Sequence, residues 1–456
     1  MEPRFPSFQH VVRTIFFAVI YVFTVHQISV ESEDTSLVLD PSLDFENVRI
    51  KNAYIALQAW KTLIVSDPHG VTNTWIGSDV CNYTGVFCYK SLDNPQERTV
   101  AGIDLNHQDL AGKLPDHLGL MYDLGVFHIN SNRFCGTLPQ SFMNFKILFE
   151  LDISNNRFAG EFPDFVLKLP DLKYLDIRFN EFEGKLPEDI FNKKLDAILI
   201  NNNRFSSNIP ENIGNSPASV IVLANNKFSG CVPSGITNMT ETLDELILTN
   251  NGFDSCIPET IGHLENLTVL DFSYNRIKGE LPSSLNQMEN LEVLNVAHNM
   301  LSGSVPESLC SLPNLIEINY KYNFFSNQSE LCLEMADFDD RRNCFKDRPE
   351  QRTMQQCARY LSTPLNCSAF GCGGRPPLPP PPPSLPVPPP SPSPSPSPTP
   401  SIPTSEISFP PNWPTTQTPS PNPSAEFPPS VPPSICPPCE QAPIPSDQTQ
   451  SPQPNA

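Results

Sequence analysis

The chain has 456 residues, and its 50 acidic residues outnumber 29 Lys and Arg to give a formal net charge of −21. A charge of that sign argues against nucleic acid and against an anionic membrane surface as partners. After Arg375 there are only four acidic residues and no basic one, so the acidity belongs to the part of the chain expected to fold.

Residues 1–30 are predicted to be a secretory signal peptide. Arg4 and Arg13 precede an apolar run from Ile15 to Val25, and polar residues follow it. The run is too short to span a bilayer, and no second apolar stretch of spanning length occurs. The polar carboxyl end does not fit a GPI anchor. We therefore expect a secreted, extracellular protein without a membrane span.

Residues 31–99 are predicted to cap the amino end of the fold with an amphipathic helix. The apolar positions that recur at helical spacing are Phe45, Val48, Ala56, Ala59, Trp60 and Leu63. The helix should end before Asp67 and Pro68. Within the same segment, Cys81 and Cys88 lie seven residues apart, and we predict a disulfide between them.

Ten copies of one pattern, Leu-x-Leu-x-x-Asn-x-Phe-x-Gly-x-Leu-Pro with variants, fill residues 100–330. The asparagine position recurs every 23 to 25 residues, at Gln108, Asn132, Asn156, Asn180, Asn203, Asn226, Asn251, Asn275, Asn299 and Asn323. Stacked repeats of this period bury a core that no single copy can bury. The predicted fold class is therefore α/β, a leucine-rich repeat solenoid of about ten plant-type repeats. The asparagine amide is expected to satisfy backbone groups at the turn that follows each strand.

One residue of each repeat lies between two inward apolar positions and should point out from the concave face. This column reads Asp104, His128, Asp152, Asp176, Leu199, Val222, Ile247, Asp271, Asn295 and Asn319. The apolar run within it predicts an interaction site, because contiguous exposed apolar surface tends to mark one. The predicted apolar floor consists of Leu199, Val222 and Ile247, with Phe179 and Tyr274 nearby. The predicted acidic walls consist of Asp104, Glu150, Asp152, Asp176, Glu245 and Asp271.

The cysteines of the repeats suggest further disulfides. Cys231 and Cys256 each lie five residues after the asparagine of their repeat. Equal positions of neighbouring repeats should stack at about the strand spacing of 4.8 Å, which a disulfide can bridge, so we predict this bond. Cys310 and Cys332 flank the last strand and are predicted to close the carboxyl end. Cys135 is expected to be buried and free, or to join two chains.

Residues 331–374 form a predicted cysteine-rich hinge. Its four further cysteines, Cys344, Cys357, Cys367 and Cys372, allow three pairings that the sequence leaves open. Five Asn-x-Ser/Thr sequons predict N-glycosylation at Asn82, Asn238, Asn266, Asn327 and Asn366.

Residues 375–456 form a predicted tail of extended polyproline II. From Pro376 onward, 33 of 81 residues are proline, and such a composition cannot bury enough apolar surface to fold. Cys436 and Cys439 form a C-x-x-C string, for which a local loop or an intermolecular crosslink is expected rather than redox chemistry.

The chain contains no recognisable catalytic or cofactor motif. It has no H-E-x-x-H, no Gly-rich phosphate loop, no G-x-S-x-G and no repeated Cys/His set with zinc spacing. We therefore expect neither an enzyme nor a bound metal or cofactor.

Several segments outside the repeat consensus carry a specific resemblance. They are LQAWKTLIVSDP at 57–68, WIGSDVCNYTGVFC at 75–88, FHINSNRFCGTLP at 127–139, and the hinge up to Gly374. In these residues the chain resembles the leucine-rich repeat extensins of plant cell walls. The resemblance implies repeats that bind basic, Cys-rich signalling peptides of the rapid alkalinization factor type, and a tail that holds the protein in the wall. It also implies links to pectin organisation and growth, and a homodimer, since members of the family act as dimers.

The tail departs from the extensin pattern, because the last tyrosine is Tyr360 and tyrosine crosslinking is therefore not expected. The alternating Ser-Pro stretch from Ser391 to Pro400 instead predicts prolyl hydroxylation and O-glycosylation. A basic peptide with apolar anchors fits the predicted floor and walls. Two alternatives stay open: a defence protein like the polygalacturonase inhibitors, which use a similar solenoid, and a purely structural wall glycoprotein. The tail and hinge favour peptide binding.

Overall fold

The computed structural model describes residues 40–335, 337–363, 365–370 and 372, which form two compact units. The first unit contains the residues up to Ser207, together with Ser216–Lys227 and Thr242–Asn251. The second contains Asn208–Asn215, Phe228–Glu241 and the residues from Gly252 onward. The predicted signal peptide and tail lie outside the described residues, and so do their cysteines at 436 and 439.

The elements are short and repeat regularly. The α-helices are α1 (Val48–Leu63), α2 (Glu307–Cys310) and α3 (Met354–Leu361). The strands are β1 (Ile64–Ser66), β2 (Val86–Lys90), β3 (Arg98–Asp104), β4 (Ala111–Gly112), β5 (Val126–His128), β6 (Arg133–Gly136), β7 (Glu150–Asp152), β8 (Arg157–Gly160), β9 (Tyr174–Asp176), β10 (Glu181–Lys185), β11 (Ala197–Leu199), β12 (Arg204–Ser207), β13 (Val220–Val222), β14 (Lys227–Gly230), β15 (Glu245–Ile247), β16 (Gly252–Phe253), β17 (Val269–Asp271), β18 (Lys278–Gly279), β19 (Val293–Asn295), β20 (Met300–Val305), β21 (Glu317–Asn319), β22 (Phe324–Gln328) and β23 (Asp337–Asp339). The 3-10 helices are Val71–Thr74, Val80–Asn82, Asp116–Leu120, Gln140–Asn144, Asp164–Lys168, Glu188–Asn192, Glu211–Asn215, Ser234–Asn238, Glu259–His263, Ser283–Gln287, Glu330–Glu334 and Cys367–Phe370.

Helix α1 is the predicted cap, but its buried face differs from the expected one. The side chain of Asn47 caps it by accepting a hydrogen bond from the Ile50 amide. Val48 and Leu63, expected on the apolar face, are 62% and 39% exposed. The Trp60 ring is fully buried, 5.9 Å from the Phe127 ring. The buried residues of the helix are Ile50, Ala53, Ala56, Leu57, Ala59 and Trp60.

Each unit contains a large sheet of one strand per repeat. In the first unit, β3, β5, β7, β9, β11, β13 and β15 are parallel, and β2 pairs antiparallel with β3 at the end of the sheet. Equal positions of successive repeats lie opposite one another, as Leu175, Ile198 and Ile221 show. The second unit has the parallel strands β17, β19, β21 and β23. Strand β23 continues the repeat pattern past the tenth predicted copy, into the predicted hinge.

The asparagine of each repeat binds backbone groups of its own turn and of the preceding repeat. Asn203 donates to the carbonyl oxygens of Ile177 and Ile200 at 2.9 and 3.2 Å, and it accepts from the Phe182 amide at 3.0 Å. Because it is only 8% exposed, losing it would leave buried backbone groups without partners, at about 1–3 kcal/mol for each group. The predicted role of this amide is confirmed.

The residue before each asparagine has a left-handed backbone, with φ between 52° and 59°. This column comprises His107, Ser131, Asn155, Phe179, Asn202, Asn225, Asn250, Tyr274, His298, Tyr322 and Arg342. Asparagine tolerates this conformation, whereas most other side chains are strained in it by about 1–2 kcal/mol. The aromatic residues of the column are therefore held in a backbone conformation that costs folding free energy.

The two disulfides predicted at the two ends of the repeats are confirmed. Cys81 bonds to Cys88, and Cys310 bonds to Cys332. Cys135 is also disulfide-bonded, so the expectation of a free thiol is wrong. Within the hinge, Cys344 bonds to Cys357. Cys367 and Cys372 bond to cysteines outside the hinge, so none of the three pairings that the sequence allowed within the hinge occurs in full.

The predicted bond between Cys231 and Cys256 is wrong, since Cys231 bonds to Cys372 and Cys256 bonds to Cys367. The reason is the register of the smaller sheets. Strands β14 and β16 pair with Gly230 opposite Phe253, a shift of two residues between equal repeat positions. Two residues along a strand correspond to about 7 Å, which adds to the distance between the strands. The two cysteines are bonded instead to the hinge.

Candidate functional site

The outward residues of the large sheet in the first unit lie in register. The column reads Asp104, His128, Asp152, Asp176, Leu199, Val222 and Ile247. Two residues earlier on the same strands, and hence on the same face, the column reads Val126, Glu150, Tyr174, Ala197, Val220 and Glu245. We call this surface the strand face. Asp271 and Tyr274, which the sequence grouped with it, lie in the second unit.

The apolar floor is less exposed than the sequence suggests. Leu199 is only 8% exposed, and Val222 and Ile247 are half-buried. Phe179, at the turn after β9, is 44% exposed. The apolar surface open to a ligand is therefore supplied mainly by Phe179, Val222 and Ile247, with Leu199 packed between its neighbours.

Two of the predicted wall carboxylates are buried rather than exposed. Asp176 is fully buried, and its Oδ2 atom lies 2.8 Å from Nε of Arg178. Burial, together with the negative charge of Asp152, raises the pKa of Asp176 to about 7, although the Arg178 charge opposes this. Asp152 is 8% exposed and accepts a hydrogen bond from the Asn130 amide group at 2.8 Å.

His128 lies beside these carboxylates and was not among the predicted site residues. It is 4% exposed, and its Nε2 atom lies 3.0 Å from Oε2 of Glu150. Burial alone would lower the pKa of His128, but Glu150, with Asp152 and Asp104, raises it above its ordinary value. The imidazole thus lies in a strongly negative environment.

The more exposed acidic groups surround this buried cluster. The Glu150 side chain is 36% exposed, and Asp104 and Glu245 are half-buried. Burial and the neighbouring Asp244 raise the pKa of Glu245. In the second unit, burial likewise raises the pKa of Asp271. The strand face can therefore attract a cation through Asp104, Glu150 and Glu245.

A row of asparagines borders the strand face. The Asn225 side chain donates to Asn202 at 3.2 Å, and the Asn250 side chain donates to Asn225 at 2.7 Å. These residues and Phe179 belong to the left-handed column described above. The sequence carried a signal for this row, because all of them directly precede the asparagine of the repeat. The row can offer amide groups to a bound backbone.

The side chains of the five predicted glycosylation sites, Asn82, Asn238, Asn266, Asn327 and Asn366, are all exposed. None of them lies on the strands that form the strand face. N-glycosylation at these positions stays a prediction.

Comparison with known proteins identifies the family. The sequence model of the leucine rich repeat N-terminal domain matches residues 52–89, and leucine rich repeat models match residues 148–169, 171–192 and 241–301. The chain is 58% identical over 339 residues to leucine-rich repeat extensin-like protein 4 of Arabidopsis thaliana, covering 74% of this chain and 68% of that protein. It is also 58% identical over 341 residues to leucine-rich repeat extensin-like protein 7 of the same species, covering 75% of this chain and 79% of that protein. The chain belongs to the leucine-rich repeat extensin-like family.

The fold of this extensin-like protein is shared with plant receptors. The crystal structure of a TDR receptor superimposes with a TM-score of 0.52 at 28% identity, covering 54% of this chain and 44% of that chain. Within the described residues of the extensin-like chain, no helix combines the length and the apolar character needed to cross a membrane.

Proposed function

We propose that this extensin-like protein is an extracellular cell-wall protein whose strand face binds a basic, Cys-rich signalling peptide of the rapid alkalinization factor type. The observation that carries the proposal is the combination on one sheet of accessible carboxylates and a partly exposed apolar centre. Such a surface suits a cationic ligand with apolar anchors. No catalytic role is proposed.

The electrostatic part of the site is built from carboxylates that the protein leaves partly uncompensated. Glu150 lies within ion-pair distance of His128, and Asp176 lies within ion-pair distance of Arg178. Asp104 and Glu245 have no cation within ion-pair distance among the described residues. They should raise the rate of encounter with a basic peptide in a way that depends on salt.

The apolar part should supply most of the affinity. Phe179 is 44% exposed and is fixed by a backbone with φ of 52°. An aromatic ring with this exposure can contribute a large apolar contact when a ligand covers it. Val222 and Ile247 provide a shallow apolar surface on neighbouring strands.

The proline-rich residues 375–456 are proposed to anchor the protein in the wall. Without tyrosine after Tyr360, anchoring would rest on hydroxyproline-linked glycans and contacts with pectin rather than on crosslinking. Peptide binding at the repeats would then modulate wall formation and growth from a fixed position.

The alternatives are inhibition of a polygalacturonase and a purely structural role. A direct test immobilises the secreted chain and presents, separately, a basic disulfide-bonded peptide of the alkalinization type and a microbial endopolygalacturonase. We expect the peptide to bind with an affinity that falls with salt, and the enzyme to remain free and active. Retention and inhibition of the enzyme without peptide binding would replace the proposal, and binding of neither would favour the structural role.

A further inference from the structure

The second unit contains a row of stacked aromatic rings in the left-handed column. The centroids of the Tyr274 and His298 rings are 4.1 Å apart, as are those of His298 and Tyr322, with interplanar angles of 10° and 13°. Tyr274 is 50% exposed and Tyr322 is 38% exposed. The two tyrosines are therefore accessible to a ligand, and His298 between them is half-buried.

These rings occupy backbone positions that strain them. Their φ angles are 52°, 54° and 57°, whereas the same column of the first unit mostly carries asparagine, which tolerates such angles. Strained residues of this kind persist where the surrounding structure holds them, and they cluster at ligand sites. Stacking between the rings offsets part of the strain, but asparagine would avoid it altogether.

Basic side chains extend the row toward the carboxyl end of the unit. Arg342 occupies the next position of the left-handed column and is exposed. Lys321 and Arg341, one residue earlier in their repeats, both contact Asp339, at 3.3 and 2.6 Å. Arg341 also lies 3.9 Å from Glu350, so two carboxylates match these two cations. Arg342, by contrast, has no carboxylate within ion-pair distance among the described residues.

Arg352 completes this positive surface and is held rigidly. Its Nε atom donates to the Asn323 carbonyl oxygen at 2.7 Å, and its guanidinium lies 4.2 Å above the Phe324 ring, which in turn stacks on Tyr360. Its two terminal amino groups have no hydrogen-bond partner among the described residues. Burial lowers the pKa of Arg352, and so does the nearby charge of Arg342. The Arg352 backbone amide donates to the carbonyl oxygen of Asn343, the residue after Arg342, at 2.8 Å, so the two arginines lie near each other.

The pKa shifts of one histidine in each unit show that the charges around the two side chains differ in sign. Burial, followed by the Lys321 charge, lowers the pKa of His298 to about 4, so its imidazole is neutral at physiological pH. His128 in the first unit shows the opposite direction, because carboxylates surround it. A neutral imidazole both donates and accepts hydrogen bonds, as a phenol does.

We propose that this surface, formed by Tyr274, His298, Tyr322, Arg342 and Arg352, binds an acidic polysaccharide, a chain of uronate sugars. The guanidinium groups match the sugar carboxylates, which arginine can bind through two parallel hydrogen bonds. The phenol and imidazole edges match the sugar hydroxyls, which also donate and accept. An acidic peptide would satisfy the arginines but would present few hydroxyls to the aromatic row. The inference goes beyond the proposed function, in which only the tail contacts polysaccharide.

The test measures binding of a labelled oligogalacturonate to the full secreted chain and to matched variants. We expect salt-sensitive binding that weakens at least tenfold in Arg342→Gln and in Arg352→Gln. Tyr322→Asn should also lose binding while keeping or raising the melting temperature, because asparagine relaxes the strained backbone. Arg157→Gln removes the same charge from an exposed position of the first unit and should bind normally.

Three results would overturn the proposal. The first is unchanged oligogalacturonate binding in the arginine variants, which would assign the polysaccharide contact to the tail. The second is equal affinity for a neutral galactan, and the third is equal affinity for polyglutamate. Peptide binding at the strand face would be unaffected by any of these results, so the failure of this proposal and the failure of the proposed function are separable.

Discussion

Asp176 gives the sharpest physical test of the strand face, because its carboxyl group is fully buried beside another carboxylate. Its pKa is raised from 3.8 to about 7. At about 1.4 kcal/mol for each tenfold change in proton affinity, this corresponds to about 4 kcal/mol of folding free energy. The sign follows from the direction of the shift. The unfolded chain loses this proton near pH 4 and the folded chain near pH 7, so stability falls as pH rises through that interval.

Asp176→Asn should remove this pH dependence. We expect the variant to be more stable than the parent at pH 8, by up to about 4 kcal/mol less the lost ion pair with Arg178, and to have similar stability at pH 4. The measurement is urea unfolding with disulfides intact at several pH values, combined with NMR titration of the Asp176 carboxyl carbon. Substitutions of two neighbouring residues provide controls that should shift the pKa of Asp176 in opposite directions. Asp152→Asn should lower the pKa of Asp176, and Arg178→Gln should raise it.

A midpoint below pH 5 for Asp176 would refute this reasoning. So would an Asp176→Asn variant whose stability falls between pH 4 and 8 as steeply as that of the parent. Either result would mean that water or a rearranged Arg178 solvates the carboxylate, and that the strand face is more open than described.

Three further predictions concern the disulfides, the repeat asparagines and peptide binding. Non-reducing peptide mapping should recover Cys231 linked to Cys372 and Cys256 linked to Cys367, and a peptide joining Cys231 to Cys256 would contradict the register of the smaller sheets. Asn203→Ala should cost at least about 3 kcal/mol, because it orphans the Phe182 amide and two carbonyl oxygens, and an unchanged melting temperature would show that water replaces the amide. Affinity for a basic peptide should rise as the pH rises through about 7, since Asp176 gains a negative charge there. A flat calorimetric profile in the parent would contradict that linkage.

The repeat period was sufficient to predict the fold and the register of the large sheets. Equal repeat positions do lie opposite one another there, so the outward column from Asp104 to Ile247 could be read from the sequence. The smaller sheets do not follow that rule. Their two-residue shift depends on how each turn bends after the asparagine, which hydrophobic periodicity does not encode, and the predicted Cys231 pairing failed for this reason.

Side-chain burial on the strand face was harder to predict. An aspartate between two inward positions faces outward by alternation, yet Asp176 is covered by the Tyr174 and Arg178 side chains of its own repeat. The aromatic row of the second unit was missed apart from Tyr274, because its signal lies in a single column before the asparagine. That column is recognisable only once its left-handed backbone is known.

Calorimetric titration of the purified chain with a basic, disulfide-bonded peptide of the alkalinization type tests the central claim most directly. We expect Val222→Asp and Phe179→Ala each to weaken binding more than tenfold, or more than about 1.4 kcal/mol. Asp104→Asn should mainly slow association and reduce its salt dependence, because Asp104 is more exposed than the buried Asp152 that the sequence suggested for this role. Val65→Asp, at an apolar position of β1 that is 57% exposed, is the matched control and should bind as the parent does. Unchanged affinity in both apolar variants, with the fold intact, would place the peptide site away from the strand face.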